Sequence, residues 1–238
     1  MKKTIVFLAM CLTGLQGLYP GTDPKSVFGG EKREPDSAKP KVKDEAANYY
    51  MLVFASQGDP PTARMSHTFA CFVKAGGGPN DHTILETITI SWLPKSLNVV
   101  VRRVLPEEGV NLELLPTLKW ARDLDTQVSA WGPYRIKKEL YDRAAKQKAK
   151  LESGAVRFKA IDLKVPLNRQ EHSNCIHAVS DITGEELATG TAHGNAASGM
   201  VVRHLRPWMI NSEETHKWVS DGLGLKKHTI RVVKESGK

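Results

Sequence analysis

The stretch Ser173-Asn174-Cys175-Ile176-His177-Ala178-Val179-Ser180-Asp181-Ile182 holds the residue types best suited to chemistry in this chain. Ser173 and Asn174 are both good helix-capping residues, and Ile176, Val179 and Ile182 keep one apolar face. Cys175 therefore falls in the first turn of a helix that packs on the core. Unpaired backbone N–H groups and the positive end of the helix dipole favour a thiolate there, and the same groups could donate to a developing oxyanion. Structural cysteines also open helices, so the motif alone does not separate the two uses. A thiolate nucleophile needs a base within hydrogen-bond reach, and eight histidines compete for that role. His177 is disfavoured, because residues two apart on a helix point about 200° apart. His172 sits in a polar loop, His82 in a turn, and His193 after a glycine-rich corner, while His204, His216 and His228 fall in the C-terminal segments. His67 is different: it opens Ser66-His67-Thr68-Phe69-Ala70-Cys71-Phe72, a strand whose other residues are apolar or small. A polar ring in that position must be hydrogen-bonded or functional.

The elements that hold these residues read as follows. Tyr49 to Ser56 is a strand stopped by Gly58-Asp59-Pro60-Pro61, and His67 to Ala75 is a second, ending in the turn-forming run Gly76 to Asp81. From Glu86 to Leu93, Thr87, Thr89 and Ser91 alternate with Ile88, Ile90 and Trp92, the pattern of a half-buried strand. Strands two and three form a hairpin. Val99 to Val104 reads as a further strand, and Leu118, Ala121 and Leu124 keep helical spacing after Pro116. Ile136 to Ser153 is a helix closed by Gly154, and Phe158 to Leu163 a strand. Cys175 to Thr183 is a short helix stopped by Gly184, and the tail from Ala196 has helix around Met200–His204 and Glu213–Val219. The sum is an α+β domain, an antiparallel sheet with helices kept to one side. Arg157-Phe158-Lys159-Ala160 could line a groove, but exposed basic residues fit a sheet-edge strand better. Trp92, Trp120, Trp131 and Trp208 could form sugar platforms, but read more simply as core and boundary packing.

A strand-borne Ser-His-Thr-Phe (Ser66 to Phe69), then a strand with polar alternation, then a distant Asn174-Cys175 opening a helix resembles the circularly permuted NlpC/P60-type papain-like hydrolases. In that group the histidine strand precedes the cysteine helix. The resemblance covers about residues 49 to 205. It implies Cys175 as nucleophile and His67 as the base that takes its proton and later protonates the leaving group. It also implies a third polar residue on the following strand to orient the imidazole through its other nitrogen. Ser91 is the first choice for that residue, with Thr89 and Glu86 as alternatives, because the length of the hairpin loop does not fix the register. The substrate would be a peptide amide of the cell wall or a lipid acyl group, with no cofactor and no metal.

Met1-Lys2-Lys3, the apolar run from Thr4 to Leu12 and the small residues before Leu18 describe a secretory signal peptide over residues 1–17. A Pro-, Gly- and charge-rich leader follows over 18–47, then a single domain with a C-terminal extension over 48–238. The expected location is periplasmic or secreted. In an oxidising compartment Cys71 and Cys175 read most simply as a disulfide. A His67–Cys175 pairing excludes that bond, since four strand residues put Cys71 about 13 Å from His67 and a disulfide needs Cα atoms within about 7 Å. The net charge of +8 falls to +6 without Lys2 and Lys3. The cluster Lys137, Lys138, Arg143, Lys146, Lys148 and Lys150 spreads around its helix instead of forming a phosphate-binding stripe, which argues against nucleic acid. No apolar run reaches the length of a membrane span.

Overall fold

Two ten-residue strands made mostly of apolar side chains build the centre of the molecule. They are β1 (Asn48–Gln57) and β2 (Ser66–Ala75). They pair antiparallel along their whole length, from Asn48 opposite Ala75 to Gln57 opposite Ser66. Both are buried almost throughout, and Phe54 stacks on its cross-strand neighbour Phe69 with ring centroids 4.8 Å apart. Each such fully buried large side chain contributes about 1.5–3 kcal/mol. The computed structural model describes residues 47–76, 82–161 and 171–234, which belong to one compact unit. The expected signal peptide, the leader up to residue 46 and the hairpin turn at 77–81 lie outside the described residues.

The remaining elements follow in chain order. β3 (Ile84–Ile90), β4 (Trp92–Pro94), β5 (Glu107–Asn111), α1 (Leu114–Asp123), β6 (Gln127–Ile136), α2 (Lys138–Glu152) and β7 (Arg157–Phe158) come first. β8 (His172–Ser173), α3 (Cys175–Ser180), α4 (Gly194–Leu205), α5 (Lys217–Gly222) and β9 (Ile230–Val232) complete the described chain. One sheet has the order β3-β2-β1-β6-β9 and a second the order β4-β5-β7-β8. The fold is α+β with two mostly antiparallel sheets. β6–β9 and β7–β8 are the parallel pairs.

Several expectations give way here. Helices do not keep to one side. Successive strand residues point to opposite faces, and His67 meets Trp120 of α1 while the hydroxyl of Thr68 meets that of Ser198 on α4 at 2.9 Å. The third strand is not half-buried: it breaks at Ser91, and Ile88 through Pro94 are buried on both faces, hydroxyls included. Val99–Val104 is loop, and the ladder forms instead at β5. Ile136 ends a strand rather than starting a helix. That strand, β6, runs through Gly132-Pro133, a pair that reads as a breaker. The chain absorbs it with a register shift between Met51 and Val53. Gly132 has φ of +91°, and a Cβ there would sit 2.7 Å from the Met51 carbonyl oxygen. β7 is no edge strand, because it lies between β5 and β8.

Candidate active site

β3 pairs with β2 only from Ala70 onward, so the outer edge of Ser66–Phe69 is left for another partner, and α3 packs against β2. The helix starts at Cys175 because Asn174 caps it, its side-chain oxygen accepting the N–H groups of Ile176 at 2.8 Å and His177 at 2.9 Å. This seats the Cys175 sulfur where the backbone N–H of Thr68, the residue next to His67, donates to it. The amides of Cys175 and Ile176 lie close to it as well, the Ile176 N–H being donated to the Asn174 side chain. Cys175 is half-buried and opens on a cavity of about 610 Å³ that His67 also lines.

His67 is only 1% exposed. Its ring stacks on Phe69 and meets Trp120 edge-on, both at 5.4 Å between centroids. Nε2 lies 2.9 Å from the Ser91 hydroxyl, and Nδ1 is buried without a hydrogen-bond partner. Ser91 is the single residue between β3 and β4, and its backbone is tied on both sides. Its N–H donates to the Asn111 side chain at 2.8 Å and its carbonyl accepts the Leu112 N–H at 3.0 Å. Asn111 donates in turn to the Thr89 carbonyl at 2.9 Å. The Thr117 hydroxyl of α1 stands 2.9 Å from that of Ser91 and 2.8 Å from the Glu113 carbonyl. Continuing the register from Ala70 opposite Ile90 would put Leu93 across from His67, which makes Ser91 the diagonal neighbour on the same face. Of the three residues considered for orienting the ring, the structure brings Ser91. Thr89 lies opposite Cys71 and Glu86 opposite Lys74.

Burial sets the protonation state. Burial away from solvent disfavours the His67 imidazolium, and its pKa falls to about 3. Burial likewise pushes the Cys175 thiol up, against the pull of the nearby backbone amides. The resting site thus holds a neutral thiol and a neutral imidazole that line the same cavity.

Cys71 and Cys175 are both free, so the disulfide that the cysteine count alone suggests is not formed, as a His67–Cys175 pairing requires. Cys71 is wholly buried in β2, and desolvation pushes its thiol up to about 12. Three other histidines have separate partners. His177 pairs with Asp181 at 3.3 Å, His204 with the Thr183 hydroxyl at 2.8 Å, and His82 stacks on Trp218. Phe158 and Ala160 line the cavity, and the edge-strand reading of that segment does not hold, because β7 lies between β5 and β8. Trp92, Trp120 and Trp131 are buried, and Trp208 is covered by the guanidinium of Arg143. The basic helix α2 is largely matched locally, with Lys138 on Asp142, Lys148 on Glu113 and Glu152, and Lys150 on Glu171. Among the described residues no group of His, Cys, Asp or Glu could hold a metal ion, and no helix is long and apolar enough to cross a membrane.

Three participants escaped the sequence reading. The Thr68 amide could not be foreseen without knowing where β3 ends. Asn111 and Thr117 sit in segments whose spacing marks only a loop and a helix. Compared with family models, curated proteins and solved structures, the chain matches none.

Proposed function

We propose that this protein is an exported cysteine hydrolase of the permuted NlpC/P60 type, cleaving an amide or ester through an acyl-thioester on Cys175. One observation carries the reading. A half-buried thiol and an imidazole whose Nδ1 is unpartnered share one cavity, and the other ring nitrogen is held by a fixed hydroxyl.

In the first step Nδ1 of neutral His67 takes the Cys175 proton as the sulfur attacks the substrate carbonyl carbon and the C–S bond forms. For Nδ1 to accept, Nε2 must carry the ring hydrogen, which the Ser91 oxygen receives. The amides that reach the sulfur, those of Thr68 and Cys175, are the donors at hand for the oxyanion. His67 then returns the proton to the departing amine or alcohol as the C–N or C–O bond breaks. Water, losing a proton to Nδ1, attacks the thioester, and the acid leaves with the thiol restored. Peptide amides of the cell wall and acyl groups of lipids both meet this chemistry. The signal-like residues 1–17 would deliver the enzyme outside the cytoplasm.

The test is to incubate the protein with p-nitrophenyl acetate and map its peptides by mass. An acetyl group on Cys175, lost in Cys175→Ala and His67→Ala, supports the reading, and unmodified Cys175 with no nitrophenol release overturns it. A second reading rests on the burial that raises the thiol and lowers the imidazole: a non-catalytic exported binding domain in which the pair is structural. It requires the second result.

A further inference from the structure

One wall of the cavity is uniformly apolar. Leu93 in the middle of β4, Val99 and Val101 from the following loop, and Phe158, Ala160 and Ile161 after α2 all line it. These side chains come from the second sheet and its loops, whereas His67 comes from the first, with Ser91 at the junction of the two. Leu93 and Phe158 are buried, and Ile161 is 41% exposed, so the apolar lining runs from the floor of the site to solvent. The loop that supplies Val99 and Val101 also leaves Val104 and Leu105 about two-thirds exposed, at 71% and 68%. Its position is pinned, because the Trp120 indole N–H donates to the Leu97 carbonyl at 3.2 Å and Arg103 pairs with Glu107 at 3.0 Å. The rest of the lining is mixed, with Glu186, Thr189, Thr191 and His193 contributing polar groups beside Ile176, Leu187 and Ala188.

We infer that the Cys175 site takes a substrate whose acyl part is an aliphatic chain, lying along Leu93, Val99, Val101, Phe158, Ala160 and Ile161. This rests on Cys175 being the acyl acceptor. A carbonyl carbon bonded to the sulfur must send its substituent into the cavity the sulfur opens on, and a chain of methylenes is the occupant that loses nothing polar against such a wall. At about 610 Å³ the cavity is of a size that encloses a small organic ligand. The polar lining is left for the alcohol or amine that departs.

The experiment reads the wall without requiring turnover. Second-order alkylation rates of Cys175 are measured with N-methyl-, N-butyl- and N-octylmaleimide, each divided by the rate with glutathione. The ratio should climb with length, by about two- to fourfold per methylene over the first few carbons. Val101→Asp, at a half-buried loop position, should flatten the climb once each maleimide rate is divided by the variant's own iodoacetamide rate, and the thermal midpoint checks its folding. Ile161→Asp, further toward solvent, serves as the second variant. A ratio independent of length overturns the inference, as does a climb that survives both variants. Cys175 that reacts with neither iodoacetamide nor maleimide overturns it together with the catalytic reading. A length-dependent ratio in a protein that hydrolyses no ester keeps the chain-binding wall and removes only catalysis. In an active protein, p-nitrophenyl octanoate in solution and phosphatidylglycerol vesicles form the two arms: either turned over supports the acyl class, and the faster one identifies its source.

Discussion

Lowering the pH from 7 to 5 should cost this protein folding free energy that the substitution His67→Gln restores. An unfolded His67 titrates near 6.5, whereas the native ring, sealed between Phe69 and Trp120, is held to about 3. Between those values the unfolded chain binds a proton that the folded chain refuses. Each pH unit of that window then removes about 1.4 kcal/mol, about 2 kcal/mol by pH 5 and about 5 kcal/mol by pH 3. Above 6.5 the ring is neutral in both states, so the stability is complete at neutral pH and is lost as the pH falls through the window. The larger figure rivals the whole stability of a marginal domain. Glutamine keeps an N–H able to reach Ser91 and does not titrate. His216, which burial also lowers, titrates in both proteins and cancels in the difference. Urea unfolding at pH 7, 6 and 5 gives the comparison. The wild type should lose about 2 kcal/mol more than His67→Gln between pH 7 and 5. Parallel profiles would refute the claim that His67 is buried neutral, and with it the protonation state from which the mechanism starts.

Ser91→Ala leaves the buried His67 Nε2 without its partner and should cost about 1–3 kcal/mol of stability in urea titrations, with kcat falling about tenfold or more. An unchanged kcat would show that the hydroxyl does not position the base. Gly109→Ala should be severely destabilising, because its Cβ would lie 2.0 Å from the Trp92 ring. Adding Trp92→Leu should recover part of the loss, and soluble, fully stable Gly109→Ala would contradict the packing of β5 on β4. Iodoacetamide without reductant should label Cys175 in the native protein and leave Cys71, wholly buried with its thiol pushed up to about 12, unlabelled until denaturant is added. Recovery of a Cys71–Cys175 cross-linked peptide would reverse that assignment.

The parts of the site that declared themselves in the sequence are those fixed by local chemistry. Asn174 before an apolar stripe marks a helix start whatever the rest of the chain does, and His67 stands out among apolar neighbours. Both central strands were legible because their composition demands burial. What stayed hidden depends on contacts far along the chain. Three hydroxyl or carboxyl residues on the third strand were equivalent until the register with β2 was known. Ser91 emerged only because the ladder stops at Ile90 and its backbone is captured by Asn111 and Leu112. Val99–Val104 looks like a strand by composition, yet Val99 and Val101 are spent on lining a cavity. Gly132-Pro133 hid β6 for the opposite reason: a neighbouring strand yields where the breaker falls.

The two sheets that meet at Ser91 are unequal in a way that bears on how activity would be lost. The first is carried by three strands of ten residues, while the second is made of strands of three, five, two and two residues. Short ladders open at lower free energy than the long ones beside them. Hydrogen exchange should therefore divide the molecule at Ser91, with β1, β2 and β6 protected to the global limit and β4, β5, β7 and β8 exchanging through a smaller opening. In that partly open form the histidine stays in its strand, but the clamp on Ser91 and the wall of the cavity are gone. Heating would then silence the protein at a temperature where most of its secondary structure still stands, and cooling would restore it without refolding the core.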